Sequence, residues 1–201
     1  MLGNRNGLDV LVKALDSAIR LPVQAHPDKA FSRKHFNSEF GKAEAWLVLA
    51  TRPDAHIFFG FKDGVTEEDF KNAVNKSETD KNAMENLLNK IPVKPGDVFF
   101  IPSGLVHAIG AGILLAEIQQ NSNTTYRVYD YGRLGADGKP RELHVEKAID
   151  VTNCTPPTRS TMTERHTPIA PYYRARRYTS LPTLPYWAHT QQRPSRKQPL
   201  P

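Results

Sequence analysis

Pro95-Gly96-Asp97-Val98-Phe99-Phe100-Ile101-Pro102-Ser103-Gly104-Leu105-Val106-His107 reads as a turn, a four-residue strand, a second turn and a histidine. Pro95-Gly96-Asp97 and Pro102-Ser103-Gly104 are made of chain-reversing residues, and Val98 to Ile101 are β-formers. The two turns present His107 at the start of a further strand.

Strand signals recur on both sides of this device. Upstream, Ala45-Trp46-Leu47-Val48-Leu49-Ala50 has a central-strand pattern, and Arg52-Pro53-Asp54 turns the chain into a second run, Ala55 to Gly60. Downstream, Gly112 to Ile118 is an apolar strand with one acid, and Thr124 to Tyr131 is β-branched and aromatic. Leu21 to Asp28 is a further strand; Gln24 and His26 are two apart, so their side chains leave the same face, and Pro27 favours an extended His26. Leu8 to Leu15 suits either a buried strand or a short helix, and residues 29–40 read as a loop. Between Thr66 and Lys90 the period changes. Thr66 with Asp69 makes a helix N-cap, Phe70, Ala73 and Val74 share a face, and Met84, Leu87, Leu88 and Ile91 repeat the pattern until Pro92 stops it. Arg141 to Val151 leads outward through His144. The expected fold is an all-β jelly-roll barrel from about residues 8–63 and 91–150, with a helical insertion at 66–90 packed outside it and an unstructured C-terminal tail.

Charge and proline divide the chain at the same place. Residues 1–150 carry 19 Lys and Arg against 20 Asp and Glu, whereas residues 151–201 carry eight basic residues against Glu164 alone, so the net charge of +6 belongs to the tail. Nine of the sixteen prolines lie in those last 51 residues, which contain no glycine. Two parts are therefore expected: 1–151, the folded domain, and 152–201, a disordered Pro/Arg/Thr-rich tail. Cys154 is the only cysteine, which excludes an intramolecular disulfide. No stretch reaches the ~18 apolar residues of a membrane span, and a cytoplasmic protein is the default expectation.

Four side chains form a candidate ligand set: Gln24, His26, Glu44 and His107. Glu44 enters an apolar run, where a carboxylate is either paired, metal-bound or left in water at the strand end. Two imidazoles, a carboxylate and an amide oxygen make a borderline N/O sphere that suits zinc with one exchangeable position. Spacing does not show that three separate segments converge.

The spacing G-x5-P-x-G-x2-H over Gly96 to His107 resembles the second signature motif of the cupins, small antiparallel β-barrels with a metal in their mouth, although Ala111 stands where that motif closes with Asn. Four stretches together carry a more specific likeness. Q-x-H-P (24–27), G-K-x-E-x-W (41–46), P-G-D-x-F-x-I-P-S-G-x-x-H-A-I-G (95–110) and E-x-Q-Q-x-S-x-T-T-Y-R-V-Y-D-Y (117–131) resemble, in order, the type I mannose-6-phosphate isomerases of bacteria. The resemblance implies that Gln24, His26, Glu44 and His107 hold a zinc ion, with Lys42, Glu117 and Arg127 lining the same pocket. It implies a sugar-phosphate substrate: mannose 6-phosphate and fructose 6-phosphate, interconverted by moving a proton between adjacent carbons. Arg127 would steady an oxyanion or the phosphate, Lys42 would offset phosphate charge, and Glu117 would either carry the proton or pair with Arg127. Members of that family begin with strands before the equivalent of Leu8 and continue past Val151 into a smaller β-domain. The chain is thus expected to be incomplete at both ends, with weak or absent activity.

Two other functions compete. A non-catalytic metal-binding cupin would keep the ion and the sugar phosphate but lose turnover. A binder of nucleic acid or membrane surface would work through Arg174, Arg176 and Arg177 among Tyr172, Tyr173 and Tyr178. That tail has no recognisable module, so neither nucleic acid nor membrane is expected as a partner.

Overall fold

The computed structural model describes residues 9–77 and 79–154. Nine strands alternate between two antiparallel sheets: β1 (Val10–Ser17), β2 (Val23–Ala25), β3 (Glu44–Thr51), β4 (His56–Phe61), β5 (Leu88–Pro92), β6 (Val98–Ile101), β7 (His107–Ile109), β8 (Ile113–Gln120) and β9 (Tyr126–Tyr129). One sheet has the order β1-β8-β3-β6 and the other β5-β4-β7-β2-β9. Apart from the β4–β5 pair, each strand is followed by one in the opposite sheet, which is how a jelly roll is wound. The mostly β, cupin-like architecture expected from the sequence is present, as two facing sheets.

Period-two burial dictates the facing. Along β8, Ile113, Leu115, Glu117 and Gln119 are buried while Leu114 and Ile118 are exposed. The buried side chains of the first sheet (Trp46, Val48, Phe99, Ile101, Ile113, Leu115) interleave with Ile57, Phe59 and Ile109 of the second. The second sheet is covered on its other face too, where Val23, Phe58, Phe61 and Val128 pack with Phe70, Ala73, Met84 and Ala148. Hence β4 is buried over almost its whole length, whereas the first sheet turns one face to solvent.

Three helices lie against the structure, and they correct the sequence reading in part. Residues 29–40, expected to be a loop, contain α1 (Lys29–Phe36). The Asp28 side chain accepts from the Phe31 amide at 2.7 Å, and Asn37 ends the helix in a left-handed conformation (φ 52°). The helix was hidden because only Ser32 on it is fully buried, so no apolar stripe marks it. The insertion at 66–90 is helical only over α2 (Glu67–Lys76), started by the expected cap, a reciprocal Thr66–Asp69 box. The second half is corrected: a single 3-10 turn (Glu85–Leu87) runs into β5, whose Ile91 and Lys90 pair with Ile57 and Phe58. Pairing with β4 outweighs the helical spacing of Met84, Leu87, Leu88 and Ile91, and Met84 and Leu88 reach the core without it. The outward-leading segment 141–151 contains α3 (Val145–Val151).

Of the stretch Leu8 to Leu15, open between strand and helix, Val10 to Leu15 lie in β1, and Leu8 is outside the described residues. Of the expected tail, 152–201, residues 155–201 lie outside the described residues; Thr152 to Cys154 contact the fold, and the Asn153 amide donates to the Gly104 carbonyl at 2.9 Å. Among the described residues no helix is long and apolar enough to cross a membrane.

Candidate metal centre

Backbone hydrogen bonds bring the three motif segments together. The Gly104 amide, in the second turn of the opening motif, donates to the His26 carbonyl (2.8 Å), and the Lys42 amide donates to the Pro27 carbonyl (3.0 Å). Both contacts demand glycine nearby. Gly104 has φ +81° and a Cβ there would lie 2.9 Å from the Val151 carbonyl oxygen; a Cβ on Gly41 would lie 2.7 Å from the Lys29 nitrogen.

Sheet register then places the side chains. Gln24 sits opposite His107 on one side and Arg127 on the other, so the three occupy one row of the second sheet. On the facing sheet Glu44 is opposite Gln119, and Trp46 is opposite Glu117, which is itself opposite Lys13. Polar side chains thus fill one end of the space between the sheets, and Val48, Leu115, Ile113 and Ile57 fill the other.

At the polar end His26, Glu44 and His107, all at most 1% exposed, each offer a ligand atom within 4.8 Å of the others, a grouping that can hold a metal ion. His26 Nε2 lies 3.0 Å from Glu44 Oε1 and His107 Nε2 lies 3.8 Å from Glu44 Oε2. Although the first pair is close, neither atom has a partner in hydrogen-bond geometry among the described residues, and Glu44 Oε1 is otherwise approached by the Lys42 ammonium at 3.3 Å. Buried lone pairs left this way are costly unless something else satisfies them, and a cation between them would. The surroundings orient the donors. His107 Nδ1 contacts the Leu105 carbonyl at 2.8 Å; with the proton on that nitrogen, Nε2 is left as a lone pair. Trp46 Nε1 donates to Glu44 Oε2 at 3.0 Å, and its ring stands edge-on to His107 at 5.4 Å. The amide end of Gln24 lies 3.3 Å from His107 Nε2, close enough to add a fourth donor once its oxygen faces inward.

Protonation favours ligation. Burial pushes His107 down to about 4 and also lowers His26, so both rings are neutral near pH 7. Burial alone would raise Glu44, but the His26 contact and the neighbouring Lys42 charge outweigh it and hold the carboxyl below the usual range.

With that geometry in view, the relatives are informative. No protein-family model matches the chain. Mannose-6-phosphate isomerase ManA of Bacillus subtilis (strain 168) is 44% identical over 158 residues, which are 79% of this chain and 47% of the relative. The mannose-6-phosphate isomerase of Streptococcus mutans is 42% identical over 152 residues, 76% of this chain and 46% of the relative. The crystal structure of the mannose 6-phosphate isomerase from Bacillus subtilis superposes with a TM-score of 0.67 at 34% identity, covering 83% of this chain and 48% of that one. The chain belongs to the bacterial type I mannose-6-phosphate isomerases. It spans about half the length of the curated relatives it matches.

Beside the metal-capable cluster, this isomerase-family chain holds a second polar group. Lys42, 5% exposed, reaches Glu44 Oε1 at 3.3 Å and donates to Thr125 Oγ1 at 3.0 Å; burial lowers its pKa. Glu117 is buried, and burial followed by the Glu44 charge raises its pKa. Its ion-pair partner is Lys13 (3.1 Å), not the Arg127 weighed in the sequence reading. Arg127 occupies its row, but its guanidinium donates to the Glu142 carbonyl at 2.7 Å, away from the cluster. Lys13, which also donates to Gln119 Oε1, was missed. The available signal was a lone cation in the apolar run Leu11-Val12-Lys13-Ala14-Leu15, on the alternate positions that face inward.

Proposed function

We propose that this site binds zinc through Gln24, His26, Glu44 and His107 and interconverts mannose 6-phosphate and fructose 6-phosphate. The observation that carries the reading is the convergence of the buried ligand atoms of His26, Glu44 and His107 at the polar end of the sandwich. Relatives named for that reaction over the matched length support it. Two imidazoles, a carboxylate and an amide oxygen suit zinc with an open position. A bound ion would polarise a sugar oxygen, a contribution of several kcal/mol in a site that excludes water.

The chain's own residues supply the rest. An aldose–ketose interconversion moves one proton between C1 and C2, which requires a group able to take and return it near neutral pH. Glu117 fits, because burial and the neighbouring Glu44 charge raise its affinity for a proton. Lys13 opposite it holds the carboxylate in place and offsets its charge when the proton is on the sugar. Lys42 supplies a buried cation for an anionic substrate, and Arg127, at the outer end of the Gln24–His107 row, suits the phosphate once it leaves the Glu142 carbonyl.

A coupled assay of fructose 6-phosphate formation on the zinc-loaded chain tests this. Glu117→Gln is expected to lower kcat by about 10²–10⁴-fold, the usual worth of a general acid–base group, with zinc content unchanged. An equally fast variant removes Glu117 from proton transfer. Zinc and sugar-phosphate binding with no turnover in the parent chain selects the non-catalytic cupin instead.

A further inference from the structure

The face of the first sheet that looks away from the site is apolar across all four strands. One row runs Val12, Ile118, Ala45, Phe100 and the next Ala14, Ala116, Leu47, Val98. Val12 is 63% exposed and Phe100 55%, and Val10, Leu49 and Leu114 extend the patch. Among the described residues, the only ionisable strand residue on this face is Asp16, at its end. Eight large apolar side chains at about half exposure present on the order of 500 Å², the upper range of what an isolated soluble protein shows as one patch.

The relief of this face is self-complementary. Ala14, Ala116 and Ala45 form a diagonal trough, while Leu47, Val98 and Phe100 form a ridge beside it. A two-fold axis lying in the interface, parallel to the sheet and between ridge and trough, turns the two faces toward each other and lays the ridge of one copy in the trough of the other, as an isologous interface requires. Facing sheets pack about 10 Å apart with interdigitating side chains. Twice ~500 Å² is about 1,000 Å², the lower bound for a specific interface. With almost no charge on the face, like charges do not oppose this pairing and no charged partner is selected. We propose that the chain associates with a second copy of itself through this face, sheet on sheet.

Molar mass by light scattering or sedimentation, over a series from about 1 to 100 µM, tests the proposal on the full chain. The expected result is a shift from one chain to two as concentration rises. Phe100→Lys should leave a monomer across the range, and Leu134→Lys, at a residue 61% exposed off this face, should dimerise like the parent. Ala116→Leu guards against misfolding and non-specific stickiness: it fills the trough while making the face more apolar, so it weakens a ridge-in-trough dimer and strengthens mere hydrophobic adhesion. A parent chain that stays monomeric, a dimer indifferent to Phe100→Lys, or association enhanced by Ala116→Leu would each overturn the proposal.

Discussion

Purified His107→Ala protein is expected to contain no metal above background, where the parent chain contains about one ion. His107 is fully buried, its Nδ1 is engaged by the Leu105 carbonyl, and its Nε2 points at Glu44 and the end of Gln24. Alanine removes a ligand and also the wall against which Gln24 and Trp46 are set, so the remaining donors lose both number and orientation. Isomerase activity should fall with the metal. Elemental analysis, with circular dichroism to show that the sheets persist, checks the result. One ion per chain retained in the variant would move the metal elsewhere.

Trp46 carries the second large effect. Its ring is among the largest fully buried side chains, and its indole N–H holds Glu44 Oε2. Trp46→Phe keeps most of the packing and deletes that donor, so zinc affinity should weaken about 10–100-fold, as when a ligand loses its outer hydrogen bond. Trp46→Ala adds a cavity in the inter-sheet core and should cost about 3–5 kcal/mol of stability. Chelator competition reads the first effect and denaturant unfolding the second. Undiminished affinity in Trp46→Phe would mean that Lys42 and the strand backbone position Glu44 without help.

Much of this was legible because strand alternation and turn chemistry agree. Val98–Ile101 between two turns, the Glu44–Thr51 run and the Ile113–Gln120 run are strands in the structure, and the two-residue spacing of Gln24 and His26 does put them on one approach to His107. Convergence was not legible, since it depends on amides such as those of Gly104 and Lys42 meeting carbonyls of a distant segment. Local spacing misled where a neighbour competes: the helical repeat at Met84, Leu88 and Ile91 yields to pairing with β4. The same limit hid Lys13, whose partner Glu117 lies 104 positions away. It also hid the exposure of Phe100, because a β-former reads the same whether its face is covered or open to solvent.

Anomalous scattering measured at the zinc edge from crystals of the parent chain tests the central claim most directly. The expected result is a single strong peak within about 2.0–2.2 Å of His26 Nε2, His107 Nε2, a Glu44 oxygen and the Gln24 amide oxygen. Zinc bound to the chain with no peak among these residues would contradict it.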